Sequence, residues 1–278
     1  MLIGSCFANE IGTILKDYRF DITTNPFGTL YNPVSIANSI ERMESRREFA
    51  LTEVIDISKH QTTYADENST YTGNGLFCTF SHHSSFAKAN AAEFLEHCNK
   101  SLHNASLQFA QADTIIITLG TSWVFRHNKQ DNIVSNCHKI NPKEFTRELL
   151  PMEEIARILG AIVERHPHKR FIFTVSPIRH LKDGAHGNHI SKANLLMAID
   201  EIMRKNPQNT SYFPSYEIVL DELRDYRFYA EDMVHPSPTA VQYIFERFKD
   251  NYIDPDSYQL MQQNLKQTKL EQHKKREW

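Results

Sequence analysis

The sequence has few cysteines, no long apolar run and little net charge, and each of these scarcities excludes a class of protein. Its 278 residues include four cysteines, Cys6, Cys78, Cys98 and Cys137. Because they form no CxxC pair, neither a zinc knuckle nor a disulfide scaffold is indicated. No stretch approaches the roughly 18 apolar residues of a membrane span. A formal charge of −3 gives no electrostatic reason to expect nucleic acid as a partner.

No basic segment followed by an apolar stretch marks a signal peptide, which predicts a cytoplasmic protein with reduced thiols. Only Met1 to Ile3 precede the first glycine turn, whereas a strand usually has about five residues. This leaves open a natural chain that begins upstream of Met1, in which case a lost signal sequence would change the predicted location.

Apolar runs and helical stretches alternate along the chain, which is typical of a parallel sheet covered on both faces. We predict strands at residues 2–3, 19–24, 113–120, 170–177 and 216–223, and helices at 9–18, 33–42, 85–103, 142–165, 191–205 and 236–249. The expected fold is a three-layer α/β/α sandwich whose mostly parallel, five-stranded sheet has the flavodoxin-like order 2-1-3-4-5. Residues 1–253 form its single domain, with an irregular insertion at about 46–84, and residues 254–278 form a polar helical tail.

In an open parallel sheet, ligands bind beyond the carboxyl ends of the strands, where the strand order reverses. The predicted order places Ser5, after the first strand, beside Gly120, Thr121 and Ser122, after the third. Gly4 permits a sharp turn there. The N–H groups at the start of the next helix then either cap that helix or hold a developing oxyanion.

A serine hydroxyl needs a base within hydrogen-bond reach before it acts as a nucleophile. The segment "YAEDMVHPSPTA" supplies Asp232 and His235, three residues apart in a turn before a helix. A carboxylate at this spacing can fix the tautomer of the imidazole and stabilise its protonated form. The pattern predicts a triad of Ser5, His235 and Asp232.

Other interpretations of the first turn remain open. Ser5 is also a favoured residue for a plain helix N-cap. Cys6 is a rival nucleophile, but neighbouring residues at a strand end tend to point to opposite faces. If Ser5 faces the crevice, Cys6 therefore faces the core.

The sequence has 14 histidines, and His82, His83, His186 and His189 are candidate metal ligands. None of them has carboxylates at the spacing of a metal site. We therefore predict no metal and assign these histidines to the surface or to a substrate loop.

The stretch "GSCFA" at residues 4–8 resembles block I of the SGNH (GDSL-like) hydrolases and is the signature of the GSCFA family. The resemblance continues in order through "NPFGTLYNP" at 25–33, "TLGTSWVF" at 118–125, "SPIRHLKDGAHGN" at 176–188 and "DMVHPS" at 232–237. It covers nearly the whole chain. It implies an α/β/α sandwich with a serine nucleophile and an Asp-x-x-His pair.

By this resemblance Ser5 matches the nucleophile, His235 the base and Asp232 its orienting acid. Gly28 matches the block II glycine whose N–H joins the oxyanion hole. Block III departs from the family pattern, because Ser122 stands where an asparagine side chain would donate. Asn25 and Asn188 are candidate replacements for that donor.

The loop at residues 178–189 is expected at the carboxyl edge of the sheet, so Arg179, His186 and Asn188 are candidate substrate contacts, together with Asn25 and Thr121. The predicted activity is hydrolysis or transfer of an O-acyl group through a Ser5 acyl-enzyme, without a cofactor. The substrate would be an ester of a small molecule or carbohydrate, including cell-envelope esters. A non-catalytic glycan- or protein-binding module and a histidine-based metal-dependent hydrolase are the alternatives, and the sequence predicts no oligomeric state.

Overall fold

Strands and helices alternate along residues 1–60 and 76–276, which are the residues that the computed structural model describes. The strands are β1 (Leu2–Gly4), β2 (Ile55–Asp56), β3 (Phe77–Cys78), β4 (Thr114–Leu119), β5 (Trp123–His127), β6 (Asn132–Val134), β7 (Phe145–Leu149), β8 (Arg170–Val175) and β9 (Thr210–Phe213). The α-helices are α1 (Cys6–Asp17), α2 (Pro33–Ser45), α3 (Ala91–Gln111), α4 (Met152–Arg165), α5 (Gly184–Lys205), α6 (Ser215–Glu217), α7 (Pro238–Tyr252) and α8 (Tyr258–Arg276).

The main sheet is parallel, and its strands lie in the order β1-β4-β8-β9. Alternate residues of β4 point to opposite faces, as the two-residue period of a strand requires. Ile115 and Ile117 pack in a core shared with α2, α3, α4 and α5. Ile116 packs in a second core with α1, α7 and α8. The chain is thus an α/β protein with a mostly parallel sheet and helices on both faces.

The predicted five-strand order is not what the described residues show, since their main sheet has four strands. Residues 19–24 run beside β1 but contribute only one bridge, between Thr24 and Leu2. Residues 216–223 are helical, formed by α6 and a π-helical turn, and the edge strand is β9. The apolar residues Tyr216, Val219, Leu220 and Leu223 have helical spacing. The predicted strand there was therefore wrong.

The predicted helix at 142–165 is also wrong in its first half. Residues 145–149 are β7, which pairs antiparallel with β5 in a small sheet, and β6 lies on the other side of β5. Helix α4 begins only after Pro151, with Glu153 and Glu154 in its first turn. Acidic side chains at that position stabilise the positive end of the helix dipole. Tertiary pairing overrides the helix propensity of the preceding segment.

One further helix begins earlier than predicted, and part of the predicted insertion is described. Helix α5 begins at Gly184 rather than at residue 191, so His186 and Asn188 belong to its first turns. In the predicted insertion at 46–84, β2 and β3 form a short antiparallel pair, and residues 61–75 lie outside the described residues.

Helix α8 occupies most of the predicted polar tail and packs against the start of the chain. Met261 is buried, Asn264 donates to the Tyr18 carbonyl at 3.1 Å, and Arg19 pairs with Glu271. Within the described ranges, no helix has both the length and the apolar character that crossing a bilayer would need.

Candidate active site

The turn after β1 depends on a glycine. Gly4 has φ +143, and a Cβ there would lie 2.1 Å from the carbonyl oxygen of Thr118. The Ser5 N–H donates to that same oxygen at 3.0 Å. The end of β1 therefore lies tightly against β4, and the chain turns directly into α1, whose first residue is Cys6.

The hydroxyl of Ser5, the predicted nucleophile, is buried in this turn. Ser5 is 1% exposed, and its Oγ has no hydrogen-bond partner among the described residues. As N-cap residue it makes no side-chain cap bond either. The expected alternation of faces is reversed, because the strand ends at Gly4 and Cys6 already follows the rotation of a helix. Ser5 faces the interior, and Cys6 faces the rim of the sheet.

The loop before α7 holds Asp232 against His235. One carboxylate oxygen, Asp232 Oδ1, accepts the N–H groups of Val234 and His235, each at 2.9 Å. The other, Oδ2, contacts Nδ1 of His235 at 2.6 Å. A further bond from the Ala230 N–H to the His235 carbonyl, 2.7 Å long, closes the loop. A turn of this kind is a common use of an aspartate side chain, and here it also orients an imidazole.

The other ring nitrogen of His235 faces Cys6. His235 Nε2 and Cys6 Sγ are 3.8 Å apart, and 229 residues separate them along the chain. With Nδ1–H donating to Asp232, neutral His235 carries its lone pair on Nε2 and can accept the thiol proton. Contacts of this kind are often long before a substrate binds. The structure thus brings Asp232, His235 and Cys6 together in a row.

Neighbouring groups shift the pKa values of Asp232 and Cys6. The N–H groups of His235 and Val234 and the imidazole hold the pKa of Asp232 at about 2. Burial raises the pKa of the Cys6 thiol, and Glu10 adds to that rise. The N–H groups of Cys6 and Phe7, at the start of α1, and the ammonium of Lys192 act against it.

The predicted oxyanion donors are already bonded elsewhere. The Gly28 N–H donates to the Asn25 carbonyl at 2.8 Å, and that of Ser5 is bonded to Thr118. Gly28 is instead needed for packing, since its φ is +77 and a Cβ would lie 2.4 Å from His83 Cβ. Ser122 is fully buried, and its hydroxyl donates to the Ser191 carbonyl at 3.1 Å.

The predicted substrate contacts Asn25 and Thr121 are also part of the scaffold. Asn25 accepts the Gly4 N–H at 2.8 Å and donates to Asn9 at 2.8 Å. The Thr121 hydroxyl bonds that of Ser191 at 2.9 Å. Both side chains are 8% exposed, so they hold the turns in place.

The remaining predicted contacts lie in and after the loop that follows β8. Arg179 stacks 4.0 Å above the Tyr229 ring and donates to the Met233 carbonyl, so it supports the loop that carries His235. Asn188 is buried and accepts the His180 N–H at 3.1 Å. His186 is exposed in the first turn of α5.

Sequence reasoning did not single out Lys192, which is buried on α5 near the same edge of the sheet. Lys192 shares a face of α5 with the buried Leu195 and Ile199, and this spacing was the signal available in the sequence. In the described ranges, no group of three or more His, Cys, Asp or Glu residues is placed to hold an ion.

Comparison with known proteins identifies the family. The model of the GSCFA family matches residues 1–248, which is most of the chain, so the protein belongs to the GSCFA family. No curated protein and no solved structure gives a significant match.

Proposed function

We propose that this member of the GSCFA family is an acyl-transfer enzyme, an ester hydrolase or O-acyltransferase, with Cys6 as its nucleophile. His235 acts as the base and Asp232 orients it. The observation that carries the proposal is the position of one imidazole, 2.6 Å from a carboxylate on one side and 3.8 Å from a thiol on the other. A nucleophile, a base within reach and a third group that orients the base are the signature of covalent catalysis.

We also propose that the domain is of the SGNH type, with cysteine in place of the expected serine. The parallel sheet with helices on both faces supports this assignment, as does an Asp-x-x-His loop just before α7. The nucleophile lies immediately after the turn that follows β1, where such a sheet offers its ligand crevice. Our revision of the predicted triad concerns one position, Cys6 instead of Ser5.

The proposed reaction begins when the Cys6 thiol transfers its proton to Nε2 of His235. The thiolate attacks the ester carbonyl, whose oxygen becomes negatively charged. The N–H groups of Cys6 and Phe7 can stabilise this oxyanion, because the first N–H groups of a helix have no acceptor within it. Collapse of the intermediate breaks the ester bond, His235 protonates the departing alcohol, and an S-acyl enzyme remains.

The second half of the cycle releases the acyl group. His235 removes a proton from water or from an acceptor hydroxyl, and the resulting oxygen nucleophile attacks the thioester. The Cys6 sulfur leaves and regains its proton from His235. Water gives a carboxylic acid and a sugar hydroxyl gives a new ester, so the same residues serve both reactions.

The exposure of the base supports a substrate that is itself bulky. The side chains of His235 and Asp232 are 49% and 50% exposed, so the pair lies at an open rim. A substrate that covers this rim would exclude water from the reacting atoms. Esters of carbohydrates, including those of the cell envelope, have the required size, and small-molecule esters are suitable probes.

The proposal is tested by mass spectrometry of the intact protein after incubation with a short-chain aryl ester, followed by peptide mapping. We expect one acyl group on Cys6, sensitive to hydroxylamine as a thioester is, and none in Cys6→Ala. Ser5→Ala is the matched control and should still be acylated. Acylation of Ser5, or labelling of Ser5 by a fluorophosphonate, would overturn the assignment.

A binding module without catalysis is the second candidate, and one observation favours it. The N–H of Gly28 and the hydroxyl of Ser122, both expected in the oxyanion hole, are bonded within the protein. Glycan binding by the folded protein, with no acyl adduct on Cys6 under any of these conditions, would support this candidate.

A further inference from the structure

A polar cavity of about 480 Å³ lies between helix α2 and the small sheet, and the proposed reaction does not use it. It is lined by α2, by residues 47–53 and 80–81, and by residues 132–135 in and after β6. Its volume is within the range of small-molecule sites, about 300–1,000 Å³. None of the three proposed catalytic residues is among those that line it, so it is a separate cavity.

Helix α2 presents a polar face to this cavity. Ser35, Ser39 and Arg42 recur at helical spacing, line the cavity and are all buried. Ile36 and Ile40 of the same helix pack in the main core. A buried helix face is normally apolar, because a buried polar group costs free energy unless it is hydrogen-bonded. The polar face of α2 therefore favours a polar occupant of the cavity.

The guanidinium of Arg42 has a donor to spare. Arg42 is 7% exposed, its Nη2 donates to Glu53 Oε1 at 2.6 Å, and its guanidinium carbon lies 3.8 Å from the centre of the Phe49 ring. Its Nε–H is buried and has no acceptor in residues 1–60 or 76–276. A buried donor without an acceptor is destabilising, which favours an acceptor that comes from a bound ligand.

The cavity also offers neutral hydrogen-bonding groups and no net charge. The amides of Asn38 on α2 and Asn132 on β6 line it, and neither is bonded to another described residue. Each amide can both donate and accept. Arg47 adds a second positive charge to the lining, and Glu41 and Glu53 balance the two arginines. This balance favours a neutral ligand over a phosphate or a carboxylate.

We propose that this cavity binds a neutral carbohydrate. The hydroxyl groups of a sugar both donate and accept, so they can bond the two amides and accept the Nε–H of Arg42. The C–H faces of a sugar ring are apolar and pack on aromatic rings, which Phe27, Phe49 and Phe80 supply. Binding here involves no acyl transfer, so it is compatible with both candidate functions.

The first test is NMR of the ¹⁵N-labelled full-length protein, with cellobiose and N,N′-diacetylchitobiose as the probes. We expect at least one of the two disaccharides to shift the side-chain amide signals of Asn38 and Asn132 and the Nε–H signal of Arg42. Inorganic phosphate should leave these three signals unchanged. Shifts caused by phosphate, or no shift of these signals with both disaccharides, would overturn the inference.

The second test compares two exposed helical asparagines. Asn38→Ala should bind the disaccharide about 2- to 10-fold more weakly, the effect of one lost hydrogen bond. Asn104→Ala is the matched control, because Asn104 of α3 is also exposed and unbonded but lies outside the cavity. Equal affinities of the two variants would contradict the assignment. Neither test needs turnover, so the absence of an acyl adduct would end the proposed acyl transfer without deciding this inference.

Discussion

The turns that follow β1 and β4 are neighbours at one edge of the sheet, and both continue from a glycine into hydroxyl-bearing residues. After β1, the buried Ser5 hydroxyl has no hydrogen-bond partner in the part of the chain that the structure describes, while Cys6 contacts His235. After β4, Thr121 and Ser122 are both bonded to Ser191 of α5. One turn exposes a thiol at the rim, whereas the other holds two hydroxyls inside the scaffold.

The difference between the two turns shows that residue type alone does not decide which polar groups are bonded within the protein. The turn after β1 leads directly into a helix, whose first N–H groups have no internal acceptor. In the turn after β4, the N–H groups of Gly120 and Thr121 both donate to the Tyr31 carbonyl, at 2.8 and 3.0 Å. The second turn therefore has neither spare donors nor a spare hydroxyl, although its sequence is richer in serine and threonine.

The largest effect is expected on the rate of Cys6 acylation, when the carboxylate that orients His235 is removed. Asp232→Asn should slow acylation by ~10²–10⁴-fold, the usual contribution of a positioned base. Because the pKa of Asp232 is lowered to about 2, its carboxylate interactions are present above its ordinary value and are lost only as pH falls through about 2. The ratio of wild-type to variant rates, measured with an aryl ester at pH 7, therefore reports the effect of a fully ionised carboxylate.

Asp225→Asn is the matched control for that measurement. Asp225 forms a similar turn, accepting the Arg227 N–H at 3.1 Å, but orients no imidazole. Its substitution should leave the acylation rate unchanged. Equal losses in both variants would show that the turn, and not the alignment of His235, limits the reaction.

The next effect concerns the geometry that directs Cys6 to the rim. Gly4→Ala should destabilise the protein by about 3 kcal/mol or more, because strained backbone and steric overlap each contribute about 1–3 kcal/mol. Gly184→Ala is the control, since Gly184 has φ +65 but nothing within 4 Å of an added Cβ. It should cost about 1 kcal/mol. Urea unfolding of both variants measures the difference, and equal losses would remove the role assigned to the close approach of Thr118.

A smaller effect is expected in the turn after β4. Ser191→Ala removes the oxygen that accepts the Ser122 N–H at 2.8 Å, and an unpaired buried donor costs about 1–3 kcal/mol. Ser122→Ala should cost about 1 kcal/mol, the net value of one hydrogen bond. We expect the acylation rate of Ser122→Ala to remain close to that of the wild type. A loss of about a hundred- to a thousandfold would restore Ser122 as an oxyanion donor.

The strands at the centre of the fold could be predicted from sequence, and those of the small sheet could not. The β-branched run at 113–120 is bounded by turn residues, and β4 occupies 114–119 of it. In β7 the sequence Phe-Thr-Arg-Glu-Leu contains good helix formers, and only its pairing with β5 makes it extended. The bond from Arg126 to Glu148 joins residues 22 apart along the chain, a distance that no local pattern reveals.

Part of the candidate site could also be predicted from the sequence, and part could not. The spacing of Asp232 and His235 placed them in one turn, and their side chains are in contact. The side that Ser5 and Cys6 each face depended on where the strand ends, which a three-residue strand does not indicate. Lys192 was missed because a lysine within a helical pattern normally predicts an exposed side chain.

The smallest predicted effect is on the stability of the protein when the buried Ser5 hydroxyl is removed. A buried hydroxyl without a partner contributes nothing favourable, so replacing it by a methyl group should change little or stabilise slightly. We expect Ser5→Ala to unfold within about 0.5 kcal/mol of the wild type in urea, or to be more stable, the range typical of substitutions that remove no interaction. A loss of about 2 kcal/mol would mean that the hydroxyl is hydrogen-bonded in solution. Ser5 would then belong, like Ser122, among the hydroxyls that hold the turns together.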